Sequence, residues 1–214
     1  MAGRMGFLGG GFDFSRAAED EFNDWYDTEH IPERLRISGF INAVRWLGAD
    51  NPKISLAIYD LESLAVLNKP EYRKVSPASF SPWSKRILVG QCTRLCRFTC
   101  EQIVPGDRIA PQEAGGLLVS AMNVAPDAEA EFNQWYDTEH LPNLAALPGV
   151  LCARRFRSVG GGMHKYVAVY HLVSPDTCET DDWRRASQTP WTDKIGKHLS
   201  DRLRLRLRRY VRQS

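Results

Sequence analysis

Residues Glu19 to Pro32, EDEFNDWYDTEHIP, return as Glu129 to Pro142, EAEFNQWYDTEHLP, with 11 of 14 positions identical at a spacing of 110. Chance does not produce such a match, and a chain that repeats itself once at this spacing is built from two copies of one unit. The correspondence runs on at lower density. Ser38-Gly39-Phe40 answers Pro148-Gly149-Val150, Ala43 and Arg45 answer Ala153 and Arg155, and Tyr59 answers Tyr170. Farther along, Ser81-Pro82-Trp83-Ser84 answers Thr189-Pro190-Trp191-Thr192. The repeat fills both halves, 1–106 and 107–214, which makes a duplicated domain rather than a solenoid of many short units.

Each half reads in the same order. Phe7 to Phe14, or Leu117 to Val124, is a strand; a helix follows, with Ser15 as its N-cap in one copy and Pro126 at its first position in the other. Pro32 and Pro142 are expected to end that helix, because the residue before a proline is pushed out of the α region. A turn at Gly39 or Gly149 feeds a second strand, Phe40 to Leu47 or Val150 to Val159, and a third runs over Ile54 to Leu61 or Lys165 to Val173. A polar, partly helical stretch leads to a fourth, Val89 to Ile103 or Leu199 to Val211. This β-α-β-β-α-β order is that of an α+β ferredoxin-like unit, an antiparallel sheet with helices on one face. Two tandem units can pair their sheets into an intrachain barrel with a pseudo-two-fold axis.

Composition narrows the class. With 43% apolar and 25% charged residues and a formal charge of +2, the chain has material for a sizeable core and too little net charge to draw nucleic acid or a membrane surface. No apolar run approaches the roughly 18 residues of a membrane span, and the glycine-rich Gly6 to Phe12 makes a poor signal peptide, so a cytoplasmic location is expected. Cys92, Cys96, Cys100, Cys152 and Cys178 lack a paired pattern and read as reduced thiols, the first three on one face of a strand rather than on a metal. Gly160-Gly161-Gly162 reads as a hairpin turn. Arg202, Arg204, Arg206 and Arg208 alternate with leucines as the cationic outer face of a half-buried strand.

The repeated helix carries the chemistry. At helical spacing Phe22, Trp25, Tyr26 and Glu29 share one side, while Asn23, Asp27 and His30 form a polar row on the flank; Asn133, Asp137 and His140 repeat it. Glu29 is the conflict, a carboxylate within an apolar face at what reads as the last helical turn, where burial and free carbonyls both disfavour its charge. The same carbonyls favour a charged His30, so the pairs Glu29 with His30 and Glu139 with His140 are candidates for proton transfer without a metal. Packing is the competing role for Trp25, Tyr26, Trp135 and Tyr136, helix capping for Asp27 and Asp137, and a bond to a carbonyl for either histidine. Arg45 and Arg155, one strand later, are candidate anion anchors. The last expectation is that the His30 site, near Arg34 and Arg36, prefers acids, and that the His140 site, followed by Leu144, is the more apolar.

In WYDTEHIPERLRISGF, and again in WYDTEHLPNLAALPGV, the chain resembles the EthD-like branch of the dimeric α+β barrel superfamily. The resemblance implies paired ferredoxin-like sheets and clefts for small aromatic or lactone compounds, in a group that includes a methylisomerase, polyketide cyclases and monooxygenases without cofactors. It marks His30 and His140 as motif histidines, with Trp25, Tyr26, Trp135 and Tyr136 beside the cleft. The Gly9-Gly10-Gly11 run of the opening strand departs from this pattern and makes the two sites unequal. The leading expectation is a cofactor-independent isomerase or lyase acting on a small hydrophobic ring compound, with Glu29 or Glu139 sharing the proton and Arg45 or Arg155 holding an enolate. Its rivals are a non-catalytic binding protein for a hydrophobic metabolite and an oxygenase, either cofactor-free or with haem on His164, His171 or His198. The expected partner is a small-molecule substrate, a homodimer is compatible with the fold, and no cofactor, metal, nucleic acid or membrane is called for.

Overall fold

The alternating apolar runs form eight strands in the computed structural model, which describes residues 4–212. The first half supplies β1 (Gly6–Asp13), β2 (Val44–Gly48), β3 (Ile54–Leu61) and β4 (Thr93–Val104). The second supplies β5 (Gly116–Val124), β6 (Val150–Ser158), β7 (Tyr166–Leu172) and β8 (Leu199–Arg209). They close into one barrel in the order β1-β3-β2-β8-β5-β7-β6-β4, with every pairing antiparallel. Each half contributes a four-stranded ferredoxin-like sheet, and the two join at both edges, β2 to β8 through Trp46↔Arg209 and β4 to β6 through Cys100↔Ser158. Closure removes the exposed edges that each sheet would present alone.

Strand periodicity sorts the side chains into three cores. Phe7, Leu56, Ile58, Phe98, Leu117, Val119, Phe156, Val167 and Val169 fill the barrel, while the opposite strand faces pack against the helices of their own half. All residues of β7 are buried, because both of its faces are covered. One end of the interior is polar: Arg154 donates to Asp60 at 2.7 Å with both side chains inaccessible, and Asp60 also accepts from Asn42 and the Ala110 amide. His171 lies there too, its ring 6.2 Å from Trp46.

Several boundaries differ from the sequence reading. The first helix starts at Glu19 with Ala18 at its N-cap, and Ser15 instead closes a turn on Asp13; the acidic first turn Glu19-Asp20-Glu21 complements the helix dipole in place of a capping hydroxyl. Phe40 makes only an isolated bridge to Leu61. Val89 belongs to a helical turn, Lys85–Gln91, and is exposed. A register shift opposite Gly11/Phe12 falls within β4 at Leu95, and Cys92 precedes the strand, so Cys96 and Cys100 face the barrel interior while Cys92 packs in the helix-side core of the first half. All five cysteines are unpaired and buried. Among the described residues no helix is long and apolar enough to cross a membrane.

Candidate functional site

The repeated motif forms a widened turn within a continuous helix. Glu19–Trp25 is α-helical, Tyr26–His30 is one π-helical turn, and Ile31–Leu35 resumes the α-helix; Glu129–Trp135, Tyr136–His140 and Leu141–Ala145 do the same in the second half. The Ile31 amide reaches back five residues to the Tyr26 carbonyl, and Leu141 to Tyr136. Pro32 and Pro142 therefore do not end the helix. A proline has no N–H to give and crowds the carbonyl four residues back, and the wide turn just before it absorbs both effects.

The extra residue in this turn shifts the phase of everything after it, which breaks the expected polar row. Asn23 and Asp27 stay together, but His30 turns between the rings of Trp25 and Tyr26, at 4.4 and 5.0 Å; His140 sits between Trp135 and Tyr136 at 4.4 and 5.1 Å. The expectation of a charged imidazole at a helix end is overturned as well. The helix continues, and burial, aided by Arg34 and Arg97, holds His30 well below the ordinary histidine range. Burial, with a smaller push from Arg155, moves His140 down to about 4. Both rings are neutral at neutral pH. In each, Nδ1 is buried without a hydrogen-bond partner, so a ligand in the cleft meets the ring through Nε2.

The motif glutamates turn away from these histidines. Glu29 accepts hydrogen bonds from Ser81 Oγ at 2.6 Å, Ser84 Oγ at 2.9 Å and Trp25 Nε1 at 3.2 Å, and Glu139 accepts from Thr189 Oγ1 at 2.5 Å. Ser81 and Thr189 are the N-caps of the last helical segment in their halves, which begins at Pro82 or Pro190, accepting from the Ser84 and Thr192 amides. Each carboxylate thus clamps one helix to the next, and neither lines a cleft.

Arg45 and Arg155 are likewise engaged by protein. Arg45 donates to Asn23 and to Asp27, and its guanidinium lies 3.7 Å from the ring centre of Tyr210. Arg155 donates to Asn133 at 2.7 Å and Asp137 at 2.5 Å, over the rings of Tyr136 and Phe132. They tie β2 and β6 to the repeated helix from the far side of Tyr26 and Tyr136, and neither reaches the histidine clefts. As anion anchors they are displaced by this bonding, and Asn23, Asp27, Asn133 and Asp137 go with them.

What the structure brings together at each cleft is a histidine, two tyrosines and an arginine. In the first half these are His30, Tyr26, Tyr59 and Arg97, and in the second His140, Tyr136, Tyr170 and Arg204. Register makes the arginines equivalent, since Gly10 pairs with Arg97 and Ser120 with Arg204. Burial raises all four phenols, Tyr59 to about 12, so they stay protonated as donors. Tyr59 and Tyr170 were visible in the sequence as a matched pair; strand parity, which sets them on the helix-facing side with Ala57 and Ala168, is the signal that places them in the site.

The two clefts differ in size and lining. The first encloses about 40 Å³ beneath Phe12, Tyr72, Phe80 and Leu88, with Arg34 buried in its wall. The second, of about 380 Å³, has an aromatic floor of Tyr136, Tyr170 and Trp183 and a polar rim that includes Glu179, Arg184, Gln188 and Arg204. The expectation that the second site is simply the more apolar is corrected by this rim. Arg34 does line the first cleft, while Arg36 is exposed and does not.

No protein-family model matches the chain, and no curated protein matches it. Solved structures do. A monooxygenase candidate from Fusobacterium nucleatum superimposes with a TM-score of 0.65 at 9% identity, over 98% of this chain and 94% of that one. An anthrone oxidase-like protein gives 0.65 at 13% identity over 97% and 92%, and chlorite dismutase from Candidatus Nitrospira defluvii 0.62 at 12% over 97% and 91%. The chain has the dimeric α+β barrel fold. Both barrel halves lie in one polypeptide, and the EthD-like resemblance of the motif is consistent with this fold. At these identities the likeness carries the fold and leaves the chemistry to the site.

The histidines proposed for haem do not fit it. His171 is sealed inside the barrel against Trp46 and Arg154, His164 packs near Phe98, and His198 is exposed ahead of β8; none lines either cleft. Among the described residues no group of three or more His, Cys, Asp or Glu side chains is placed to hold a metal ion.

Proposed function

We propose that this protein is a cofactor-independent oxygenase of small aromatic, polyketide-like ring compounds, with the His140 cleft as its reaction site. The observation that carries the reading is a neutral imidazole opening into a cleft of about 380 Å³, a volume suited to a compound of one to three rings, over an aromatic floor. The similarity to a monooxygenase candidate and an anthrone oxidase-like protein favours oxygen chemistry over the isomerase or lyase reading.

In this mechanism His140 Nε2 takes a proton from an acidified ring CH or CH2. The carbanion passes electrons to dioxygen; for a CH2 group the balance is CH2 + O2 → C=O + H2O. Because burial disfavours the imidazolium, His140 returns its proton readily to the peroxide formed on the carbon; it then takes the second C–H proton as the O–O bond breaks, so that C=O forms and the departing oxygen leaves as water. The aromatic floor of Tyr136, Tyr170 and Trp183 stacks the ring and Arg204 attracts an acidic substituent at the rim.

The test is oxygen uptake with hydroxylated anthrones and related phenols. Wild-type protein should consume one O2 per ring oxidised, with a chelator present, and changing His30 and His140 together to Asn should abolish turnover with the fold intact. Substrate deuteration in D2O without oxygen uptake would point instead to an isomerase or lyase, which shares the first proton transfer. A ligand that copurifies and is released unchanged would point to a binding protein.

A further inference from the structure

Removing a ring proton gathers negative charge on a neighbouring oxygen, and a reaction site lowers that cost with a hydrogen-bond donor aimed at it. The phenols on the floor of the His140 cleft are poorly placed for this, since Tyr136 is only 2% exposed and the Tyr170 hydroxyl is sealed from the cleft. The rim hydroxyls are spent within the protein. Thr180 caps the helix Asp181–Ser187 and donates to the Thr177 carbonyl, and Ser187 donates to the Arg184 carbonyl. Arg204 is held by the Glu179 carboxylate at 3.3 Å and the Cys178 carbonyl at 3.4 Å.

Ser120 is the exception. On β5 its neighbours Val119 and Ala121 fill the barrel, whereas Leu118 and Met122, which share its parity, pack in the helix-side core. A polar side chain therefore interrupts an apolar face, in a strand bonded along both edges to β7 and β8. Ser120 lines the His140 cleft, is only partly buried, and its hydroxyl takes part in no hydrogen bond among the described residues. With the strand edges and the inner face covered, the cleft is what that hydroxyl meets. Register sets Ser120 between Ala168 on β7 and Arg204 on β8, on the face they share. The small Ala168 leaves the hydroxyl uncovered, and Arg204 places positive charge beside it. In the first half the same frame recurs, with Gly10 between Ala57 and Arg97. Glycine has no hydroxyl to offer, so the cleft large enough for a ring is the one that carries a donor here.

We propose that Ser120 is a catalytic residue of the His140 cleft, its hydroxyl donating a hydrogen bond to the substrate oxygen that becomes negative as His140 removes the ring proton. A hydroxyl bonds a neutral oxygen as well, but the bond to a charged acceptor is about twice as strong, so the contact favours the ionised species over the bound substrate. As a step in catalysis this rests on the oxygenase reading; the contact itself serves any phenolate or enolate held in the cleft.

The test reads the ionisation of a bound phenol and needs no turnover. Alizarin, a hydroxylated three-ring compound whose colour reports loss of its phenol proton, is titrated with pH while bound to the full chain. Wild-type protein should lower its ionisation relative to the free dye, and Ser120→Ala should raise it again by about one pH unit, a tenfold change. In oxygen uptake Ser120→Ala should lower kcat roughly 10²-fold with KM within a few-fold of wild type. Ser120→Thr, which keeps a hydroxyl, should restore most of both effects. Gly10→Ala, at the matching position of the first half, should alter neither, since its Cβ meets nothing nearer than the Phe12 ring at 3.5 Å. Absence of oxygen uptake with the dye still responding to Ser120→Ala would sink the oxygenase reading and leave the donor standing. A dye ionisation that the wild type does not lower, or that Ser120→Ala does not move, would overturn the proposal.

Discussion

The two halves keep the same WYDTEH turn, the same imidazole between tryptophan and tyrosine, and the same arginine tie behind it, yet one cleft encloses about 40 Å³ and the other about 380 Å³. The difference arises downstream of the motif. In the first half Tyr72, Pro77 and Leu88, on short helical turns between β3 and β4, and Phe80 just after one of them close over His30, and Arg34 fills the wall. In the second half Trp183, on the helix Asp181–Ser187, stands back from His140, and Leu144 replaces Arg34. A duplicated motif thus fixes the placement of the imidazole, while the covering segment decides what can reach it.

The sharpest way to break this comparison is to remove each histidine alone. His140→Asn should lower kcat/KM for a ring substrate by roughly 10²–10⁴-fold, the usual worth of a general base, while His30→Asn should stay within a few-fold of wild type. Equal losses would show the clefts to be equivalent. Acid unfolding gives the next largest effect. His30, His140 and His171 are all held below the ordinary histidine value by burial, so the unfolded chain takes up their protons first. Stability is fully present above the unfolded value near 6.5 and falls with pH until the folded value is passed. For His140, with its folded value about 4, the loss amounts to about 3 kcal/mol. Urea titrations from pH 7 to pH 4 should show it, and His140→Gln should flatten the curve.

A smaller contrast lies in the glutamate clamps. Glu29→Ala removes an acceptor shared by Ser81, Ser84 and Trp25, whereas Glu139→Ala strips only Thr189. Urea midpoints should report a loss of about 2 kcal/mol in the first case and about 1 kcal/mol in the second. Least of all, Tyr210→Ala should cost about 1 kcal/mol by uncovering the guanidinium of Arg45. Arg155 is covered by residues of its own half, so that change should leave the second half unaffected in hydrogen exchange.

Much of the site was open to reading from the sequence, and the misreadings share a cause. His30 and His140 were found because they repeat, and Tyr26 and Tyr136 because they adjoin them. Glu29 and Asp27 were assigned to the cleft by a helical wheel of constant pitch, and one π turn defeats a constant pitch; Arg45 was assigned from its repetition at Arg155, which does not reveal that Asn23 and Asp27 already hold it. The proline that reads as a helix stop is the trace this turn leaves in the sequence. Arg34 was legible as a neighbour of His30 because it follows the motif directly, whereas Arg97 and Arg204 were not, because what brings them to the sites is the pairing of distant strands.

The sequence by itself determined that there are two copies, that each is a ferredoxin-like unit, and that the repeated helix carries the histidines, because repetition and hydrophobic periodicity are properties of neighbouring residues. Only the tertiary structure decided that the sheets close edge to edge through β2 with β8 and β4 with β6, that the imidazoles are neutral, and that the clefts differ about tenfold in volume. Those outcomes depend on burial and on charges far apart in the chain. Desolvation and the field of an arginine are set by everything packed around a group, and no local stretch of sequence contains that sum.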